Sequence, residues 1–345
     1  MQILNAQEFI TLGNTIQIVD VRSPAEFAEG HIPNAINIPL FNDEERAIVG
    51  TLYKNKGKLP AIENGLEIVG PKMASFVRQA LQIANAGELL VYCWRGGMRS
   101  ESMAWLFERV NINCSLLKGG YKSYRNYLLN TIGTIPNLIV IEGYTGSGKT
   151  EILDSLRNIG EQIIDLEGLA NHRGSAFGGI GMNAQPTTQQ FQNTIFREIL
   201  NFDLSKIIWI EGESQTVGKI FLPDPLWDRM NKANTIEITV PRNERIKRLV
   251  IEYGNLPAEL MENAINSLIR RLGDLRMKEI LSSFREKNLE ITADKLLEYY
   301  DQSYQYSRNK YKRIFTEISL PNGNSSENAK IILAKVTELI PLKAI

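Results

Sequence analysis

Two short strings in this 345-residue chain combine residue types that can do chemistry. The first is Gly143-Tyr144-Thr145-Gly146-Ser147-Gly148-Lys149-Thr150, which fits the pattern G-x4-G-K-T without a gap. Its glycines let backbone N–H groups close around a phosphate. Lys149 brings a point charge to the terminal phosphate, and Thr150 can ligate Mg²⁺. Gly143, Thr145, Gly146, Ser147, Gly148, Lys149 and Thr150 are therefore candidate diphosphate-binding residues, and any polyphosphate would satisfy the same donors. The second string is Cys93-Trp94-Arg95-Gly96-Gly97-Met98-Arg99-Ser100. A cysteine at the end of an apolar run, followed by two glycines and a helical pattern, is met by backbone N–H groups and the positive end of a helix. Both favour thiolate over thiol, as do the charges of Arg95 and Arg99. Cys93, Arg95 and Arg99 form the candidate catalytic set, and the turn can cradle phosphate, sulfate or selenophosphate. A buried structural cysteine is the plainer alternative.

Carboxylates follow at apolar strand ends: Asp165 in QIIDLEG, and Glu211 and Glu213 in KIIWIEGES. Each can ligate a metal or act as a base, and solvated strand-end carboxylates are the competing reading. A Gly-rich loop then carries His172 and Arg173, which can bind phosphate or move protons, or belong to a mobile surface loop.

These residues need strand-to-helix turns to hold them, and the pattern supplies them. In the first part of the chain, residues 15–22, 36–40, 88–93 and 113–117 read as strands, and 23–30 as a short helix capped by Ser23. Residues 96–110 are amphipathic at helical spacing, with Met103, Leu106, Phe107 and Val110 on the apolar side, and 121–130 reads as helical. Residues 41–70 are a polar, Gly-containing insertion. In the second part, strands are expected at 138–142, 162–166, 206–211, 235–240 and 313–320. Helices are expected at 150–159, 188–202, 242–253 and 325–340. Strands and helices that alternate in this way imply an α/β fold with mostly parallel sheets. The stretch 257–312 is helical throughout and reads as an inserted subdomain. Gly133 and Pro136 punctuate the join, giving domains at 1–132 and 137–345.

Composition narrows the class. Hydrophobic residues make up 43% and charged residues 23%, as in globular proteins, which excludes a disordered or collagen-like chain. Thirty-nine basic and 39 acidic residues cancel, so a nucleic-acid partner would need a local basic patch. Two cysteines make no disulfide framework and fit a reducing cytoplasm. No apolar run is long enough to span a membrane, and the N-terminus lacks a signal-peptide pattern.

Residues 20–39, DVRSPAEFAEGHIPNAINIP, resemble the N-terminal signature of rhodanese domains, and Lys118-Gly119-Gly120-Tyr121 resembles their closing motif. The resemblance implies an N-terminal rhodanese-like domain in which Cys93 carries a persulfide or selenium-loaded sulfur. Asp20, Arg22 and His31 would hold the fold, and Cys114, in an apolar strand, reads as core. The Cys-x5-Arg loop is one residue longer than that of simple sulfur-transferring rhodaneses, which suits a larger oxyanion. The order CWRGGMRS, GYTGSGKT, DLEGLANHRGSAFG, the Glu213-Ser214 segment and LEYYDQSY at 297–304 resembles the tRNA 2-selenouridine synthase family over nearly the whole chain. Gln215 departs from the Arg that follows the Glu-Ser pair in many members. The resemblance implies a rhodanese-like domain fused to a C-terminal P-loop NTPase-like α/β domain with an inserted helical subdomain. It implies replacement of the sulfur of a 5-substituted 2-thiouridine at the tRNA wobble position by selenium from selenophosphate. An S-geranylated intermediate would be made from geranyl diphosphate, with Mg²⁺ at Thr150. The partners implied are the anticodon region of tRNA and a selenophosphate-supplying enzyme.

For such a tRNA partner, residues 242–248 carry four positive charges against one negative, including Arg245, Lys247 and Arg248. Arg270, Arg271, Arg276 and Lys278 form a second basic group, with Tyr299, Tyr300 and Tyr304 as stacking candidates. A solvated helix face is the competing reading. Phe177, Phe191 and Trp209 are candidates for an isoprenoid slot, against ordinary core. Two other readings remain: a P-loop kinase fused to a rhodanese regulatory or sulfur-carrier domain, and a non-catalytic module that docks sulfur carriers or tRNA.

Overall fold

The computed structural model describes residues 1–310 and 313–339, in two compact units. The last two positions of the expected helical stretch (311–312) and the chain end from 340, where one expected helix closes, lie outside the described residues.

The first unit comprises Met1–Thr131 and Thr187–Thr194. Its strands are β1 (Gln2–Leu4), β2 (Ile18–Asp20), β3 (Ile36–Asn37), β4 (Glu88–Tyr92) and β5 (Asn113–Leu117). They form one parallel sheet in the order β1-β5-β4-β2-β3. Strand β4 is buried from Leu89 to Tyr92, as a strand covered on both faces must be. The short helix Pro24–Glu29 has a capping box: Ser23 accepts from the Glu26 amide, and the Glu26 carboxylate returns to Ser23. The core gathers Val19, Val91, Met103, Phe107 and Cys114.

Two findings go beyond the sequence reading. The 41–70 insertion is two helices, Asp43–Lys56 and Lys58–Val69, hinged at Gly57. Its polar composition hides an N-terminal signal, the Asn42–Glu45 capping box. In addition, residues 187–194, which lie inside the expected second domain, group with the first unit. Hydrogen bonds explain this. The buried Asn193 amide donates to the His31 carbonyl at 2.9 Å and to the Tyr121 hydroxyl at 2.7 Å, and Arg125 donates to the Asn193 Oδ1 at 2.7 Å.

The second unit comprises Ile132–Pro186 and Ile195–Ile345. Its strands are β6 (Leu138–Gly143), β7 (Gln162–Ile164), β8 (Ile208–Glu211), β9 (Thr216–Val217), β10 (Ile220–Phe221), β11 (Asn234–Thr239) and β12 (Ile314–Ser319). Five of them form a parallel sheet in the order β12-β11-β6-β8-β7, and β9 and β10 make a small antiparallel hairpin. Strand β6 is buried along its whole length. The helices Ala258–Ser267, Ile269–Leu272, Asp274–Arg285 and Leu289–Lys310 form the expected helical stretch around a core that includes Met261, Ile265, Met277 and Leu296. Among the described residues no helix is long and apolar enough to cross a membrane.

Asn193→Ala removes a buried amide and strands the donors and acceptors that face it. Unfolding of the full-length chain in denaturant should show the first unit destabilised by about 1–3 kcal/mol. An unchanged midpoint would show that the 187–194 segment is not integral to that unit.

Candidate functional site

In the first unit, strand β4 delivers Cys93 to the start of a tight turn. The residue is buried, and Gly97 caps the helix Met98–Glu108. The Gly97 amide donates to the Cys93 Sγ at 3.4 Å and the Ser100 hydroxyl donates to it at 3.2 Å. The turn is fastened from below, where the Tyr121 amide donates to the Cys93 carbonyl at 2.8 Å. Gly120, with φ +62°, makes this approach possible, because a Cβ there would collide with the Cys93 carbonyl oxygen. Ser100 lies in the quoted string, yet only the fold shows that its hydroxyl reaches the sulfur.

The two arginines of this loop have different surroundings. Arg95 is exposed. Arg99 is paired with Glu26 at 2.7 Å, and Arg46 from the insertion lies 3.6 Å from the same carboxylate. Burial works to raise the Glu26 carboxyl, but Arg99 and then Arg46 outweigh it and hold it below the usual carboxylate range. The Arg99 charge is thus balanced by Glu26. Asp20 and Arg22 form a buried pair at 2.6 Å, with the guanidinium 4.0 Å from the centre of the Tyr121 ring. His31 bonds to Phe27 through its ring and to the 187–194 segment through its backbone. Burial pushes the Cys114 thiol up to about 12, as suits a core residue.

In the second unit, strand β6 ends at Gly143 and the loop runs into the helix Lys149–Asn158. Gly148 has φ +77°, and a Cβ there would meet the Arg248 guanidinium. The Lys149 ammonium donates to the Gly143 carbonyl at 3.1 Å, curling back over the loop. The Thr150 hydroxyl lies 3.0 Å from Glu211 and 3.2 Å from Glu167. The Ser147 hydroxyl is buried without a hydrogen-bond partner among the described residues.

Glu167 joins the expected Glu211 and Glu213 in this cluster. Burial, then the neighbouring Glu213, pushes the Glu167 carboxyl up to about 8, against the pull of Lys149. Burial and Glu167 raise Glu211 well above its ordinary value, and burial also raises Glu213. Asp165 serves as a helix cap, accepting from the Gly168 amide at 2.8 Å. The sequence signal for Glu167 was its place two residues after Asp165, but only the fold turns it towards Thr150.

His172 accepts from the Gly174 amide at 3.2 Å, and burial lowers its pKa. Arg173 is ion-paired with Glu252 at 3.1 Å, so its charge is already matched. Gln215 donates to Asp224 at 2.8 Å.

The basic stretch 242–248 corrects an expectation. Arg245 is buried; it donates to the Thr145 carbonyl at 2.9 Å and pairs with Asp301 at 2.5 Å. Arg248 donates to the Gly146 carbonyl at 3.0 Å and pairs with Glu151 at 3.1 Å. Both brace the phosphate loop from behind and are not surface cations. Lys247 stays exposed beside Glu244. Arg270, Arg271, Arg276 and Lys278 are exposed as expected, although Arg271 also donates to the Tyr299 hydroxyl. Tyr299 and Tyr300 pack against the helical core. Tyr304 lies with its ring 4.6 Å from Tyr144 and its hydroxyl on Glu237 at 3.0 Å, which is structural surroundings for a residue expected near RNA.

A cleft beside the loop encloses about 560 Å³, partly open to solvent, and Thr145, Ser175, Phe177, Met261, Phe284 and Leu296 are among the residues on its wall. Of the three slot candidates only Phe177 borders it. Phe191 is core in the 187–194 segment, and Trp209 is core on strand β8, its indole donating to Glu161.

Comparison with known proteins gives this architecture its class. A model described as the tRNA 2-selenouridine synthase AAA domain matches residues 136–335, and a rhodanese-like domain model matches residues 5–127. The tRNA 2-selenouridine synthase of Sulfurovum sp. (strain NBC37-1) is 35% identical over 357 residues, covering 92% of this chain and 94% of that protein. That of Hydrogenovibrio crunogenus is 35% identical and covers 88% and 92%. That of Nitrosomonas europaea is 38% identical over 245 residues, covering 68% of this chain and 63% of that protein, just under two thirds of its length. The chain belongs to the tRNA 2-selenouridine synthase family.

A carboxyl whose native pKa is raised binds more protons folded than unfolded between its two values, so stability falls as pH rises through that window. For Glu167 the window runs from its ordinary value of 4.5 to about 8. With chelator present, unfolding midpoints of the full chain should fall between those limits, and Glu167→Gln should flatten the slope. A slope that Glu167→Gln leaves unchanged would place the proton uptake elsewhere.

Proposed function

We propose that this protein modifies tRNA, replacing the sulfur of a 5-substituted 2-thiouridine at the wobble position with selenium from selenophosphate through an S-geranyl intermediate. The reading is carried by one observation: a chain of this family keeps both anion nests built, the braced phosphate loop and the Cys93 turn.

In the first reaction the thiouridine sulfur attacks C1 of geranyl diphosphate. A C–S bond forms, the C–O bond breaks, and pyrophosphate departs while the base loses its N3 proton. The loop amides and Lys149 hold the diphosphate and stabilise the charge that grows on the leaving group. Mg²⁺ would supply further neutralisation of those oxygens. Its fit rests on Thr150 beside Glu211, a donor set suited to an ion that takes one or two protein ligands and the rest from phosphate and water.

In the second reaction selenium bonds to C2 and the C2–S bond breaks, releasing geranyl thiolate. The P–Se bond goes to water and phosphate leaves. Alkylation makes this displacement feasible, because a thioether sulfur leaves more readily than a thiocarbonyl sulfur. In the Cys93 turn the Gly97 amide and the Ser100 hydroxyl hold the sulfur and Arg95 is exposed in the same loop, which supports a role in handling the selenophosphate anion. Lys247, Arg270, Arg271, Arg276 and Lys278 are exposed cations that RNA phosphates can meet. A selenophosphate-supplying enzyme is the partner this chemistry requires.

Mass spectrometry of tRNA nucleosides from cells tests the order of steps. Lys149→Ala should abolish both geranylated and selenated nucleosides, whereas Cys93→Ala should let the geranylated nucleoside accumulate. Geranylation that persists undiminished in Lys149→Ala would remove the phosphate loop from the reaction. Phosphoryl transfer from ATP to a small acceptor, without a response to geranyl diphosphate, would favour the kinase reading.

A further inference from the structure

The cleft in the second unit adjoins the phosphate loop. Thr145 belongs to both, and Ser175 joins it from the Gly-rich loop. The rest of the wall is almost entirely hydrocarbon or aromatic: Phe177, Val250, Met261, Phe284 and Leu296. Beyond Thr145 and Ser175, the polar side-chain atoms on this wall are the hydroxyls of Tyr253, Thr292 and Tyr300, few for the several donors and acceptors at a purine's edges.

The same helices make both ends. On the helix Arg242–Tyr253, Arg245 and Arg248 brace the loop, while Leu249, Val250 and Tyr253 line the cleft. On the helix Leu289–Lys310, Asp301 anchors Arg245, while Thr292, Ala293 and Leu296 line the cleft. A polar grip and an apolar trough thus share one scaffold, which suits a ligand that is anionic at one end and hydrocarbon beyond it.

We infer that this cleft holds the hydrocarbon chain of an isoprenoid diphosphate whose head occupies residues 143–150, and that Ala293 and Phe284 set the chain length it accepts. The inference rests on the proposed function and deepens it, since the loop alone selects a diphosphate and not the group attached to it. Ala293 and Phe284 both line the cleft, so a larger side chain at Ala293 takes space from it and a smaller one at Phe284 adds space.

Calorimetric titration of the full-length chain with inorganic pyrophosphate, geranyl diphosphate and farnesyl diphosphate tests it. Ala293→Phe should weaken geranyl diphosphate by about tenfold or more and leave pyrophosphate unchanged. Phe284→Ala, which relieves space and does not depend on the first variant folding, should move the preference from the ten-carbon to the fifteen-carbon chain. If geranyl diphosphate binds the unaltered protein but both variants keep its affinity and preference, the chain lies elsewhere and the inference is wrong, while the proposed function stands. If Ala293→Phe weakens pyrophosphate equally, the cleft is no separate tail site and the inference again fails. If the unaltered protein binds pyrophosphate but gains nothing from the geranyl group, the proposed function itself falls, and the inference with it.

Discussion

A loop that aims its amides at an anion must turn its carbonyls outward, and something has to accept that burden. In the second unit Arg245 and Arg248 do so, capping the Thr145 and Gly146 carbonyls. The arrangement depends most on Arg245, which is buried and matched by Asp301 from the helix Leu289–Lys310. Removing one partner of such a pair leaves a charge with little water to receive it, a loss on the order of 3–5 kcal/mol. The helical subdomain is therefore more than an ornament on the sheet, because it carries the counter-ion that keeps the loop's brace in place. The same helix continues to Tyr304, whose hydroxyl reaches Glu237 on strand β11 and whose ring lies against Tyr144. The neighbouring buried carboxylate, Glu142 on strand β6, is met by Arg313. Sheet, loop and helix thus share one set of buried charges.

The first unit solves a related problem with fewer charges. A buried strand ends at Cys93, and the turn beyond it leaves the sulfur facing an amide and a hydroxyl. Here the brace is backbone to backbone, from the Tyr121 amide to the Cys93 carbonyl, and it requires the left-handed Gly120. Tyr121 is held in turn by Asn193, so a segment remote in sequence stiffens the turn that presents the cysteine.

What the sequence made legible follows from how local each feature is. The G-x4-G-K-T loop, the cysteine turn, the Ser23 cap and the apolar strands are contiguous, so their residues and spacing announce them. The parallel α/β architecture followed from the alternation of those elements. Features that depend on distant pairing stayed hidden. The run 242–248 looked like a cationic surface because its Asp301 partner lies 56 positions away. Phe191 and Trp209 are ordinary core, whereas the wall of the cleft is assembled from residues of several helices that lie far apart in sequence. The 187–194 segment read as the start of an ordinary helix, and nothing local marks Asn193 as a ligand for His31 and Tyr121.

The acidic cluster beside Lys149 looks at first ill suited to the anion site proposed for this loop. Three glutamates and a diphosphate would repel one another if all were ionised. Burial resolves the conflict. A Glu167 carboxyl pushed up to about 8 is mostly neutral at pH 7, and Glu211 and Glu213 are raised as well. A neutral carboxyl adds no repulsion and carries a proton that can be donated to an oxygen, whereas an ionised one can attract a cation to Thr150. The cluster can thus adjust its charge to what stands in front of Lys149, which a fully solvated set of carboxylates would not do at neutral pH. That capacity comes from placing Glu211 at the buried end of strand β8, with Glu167 and Glu213 just beyond strands β7 and β8, beside the loop that follows strand β6.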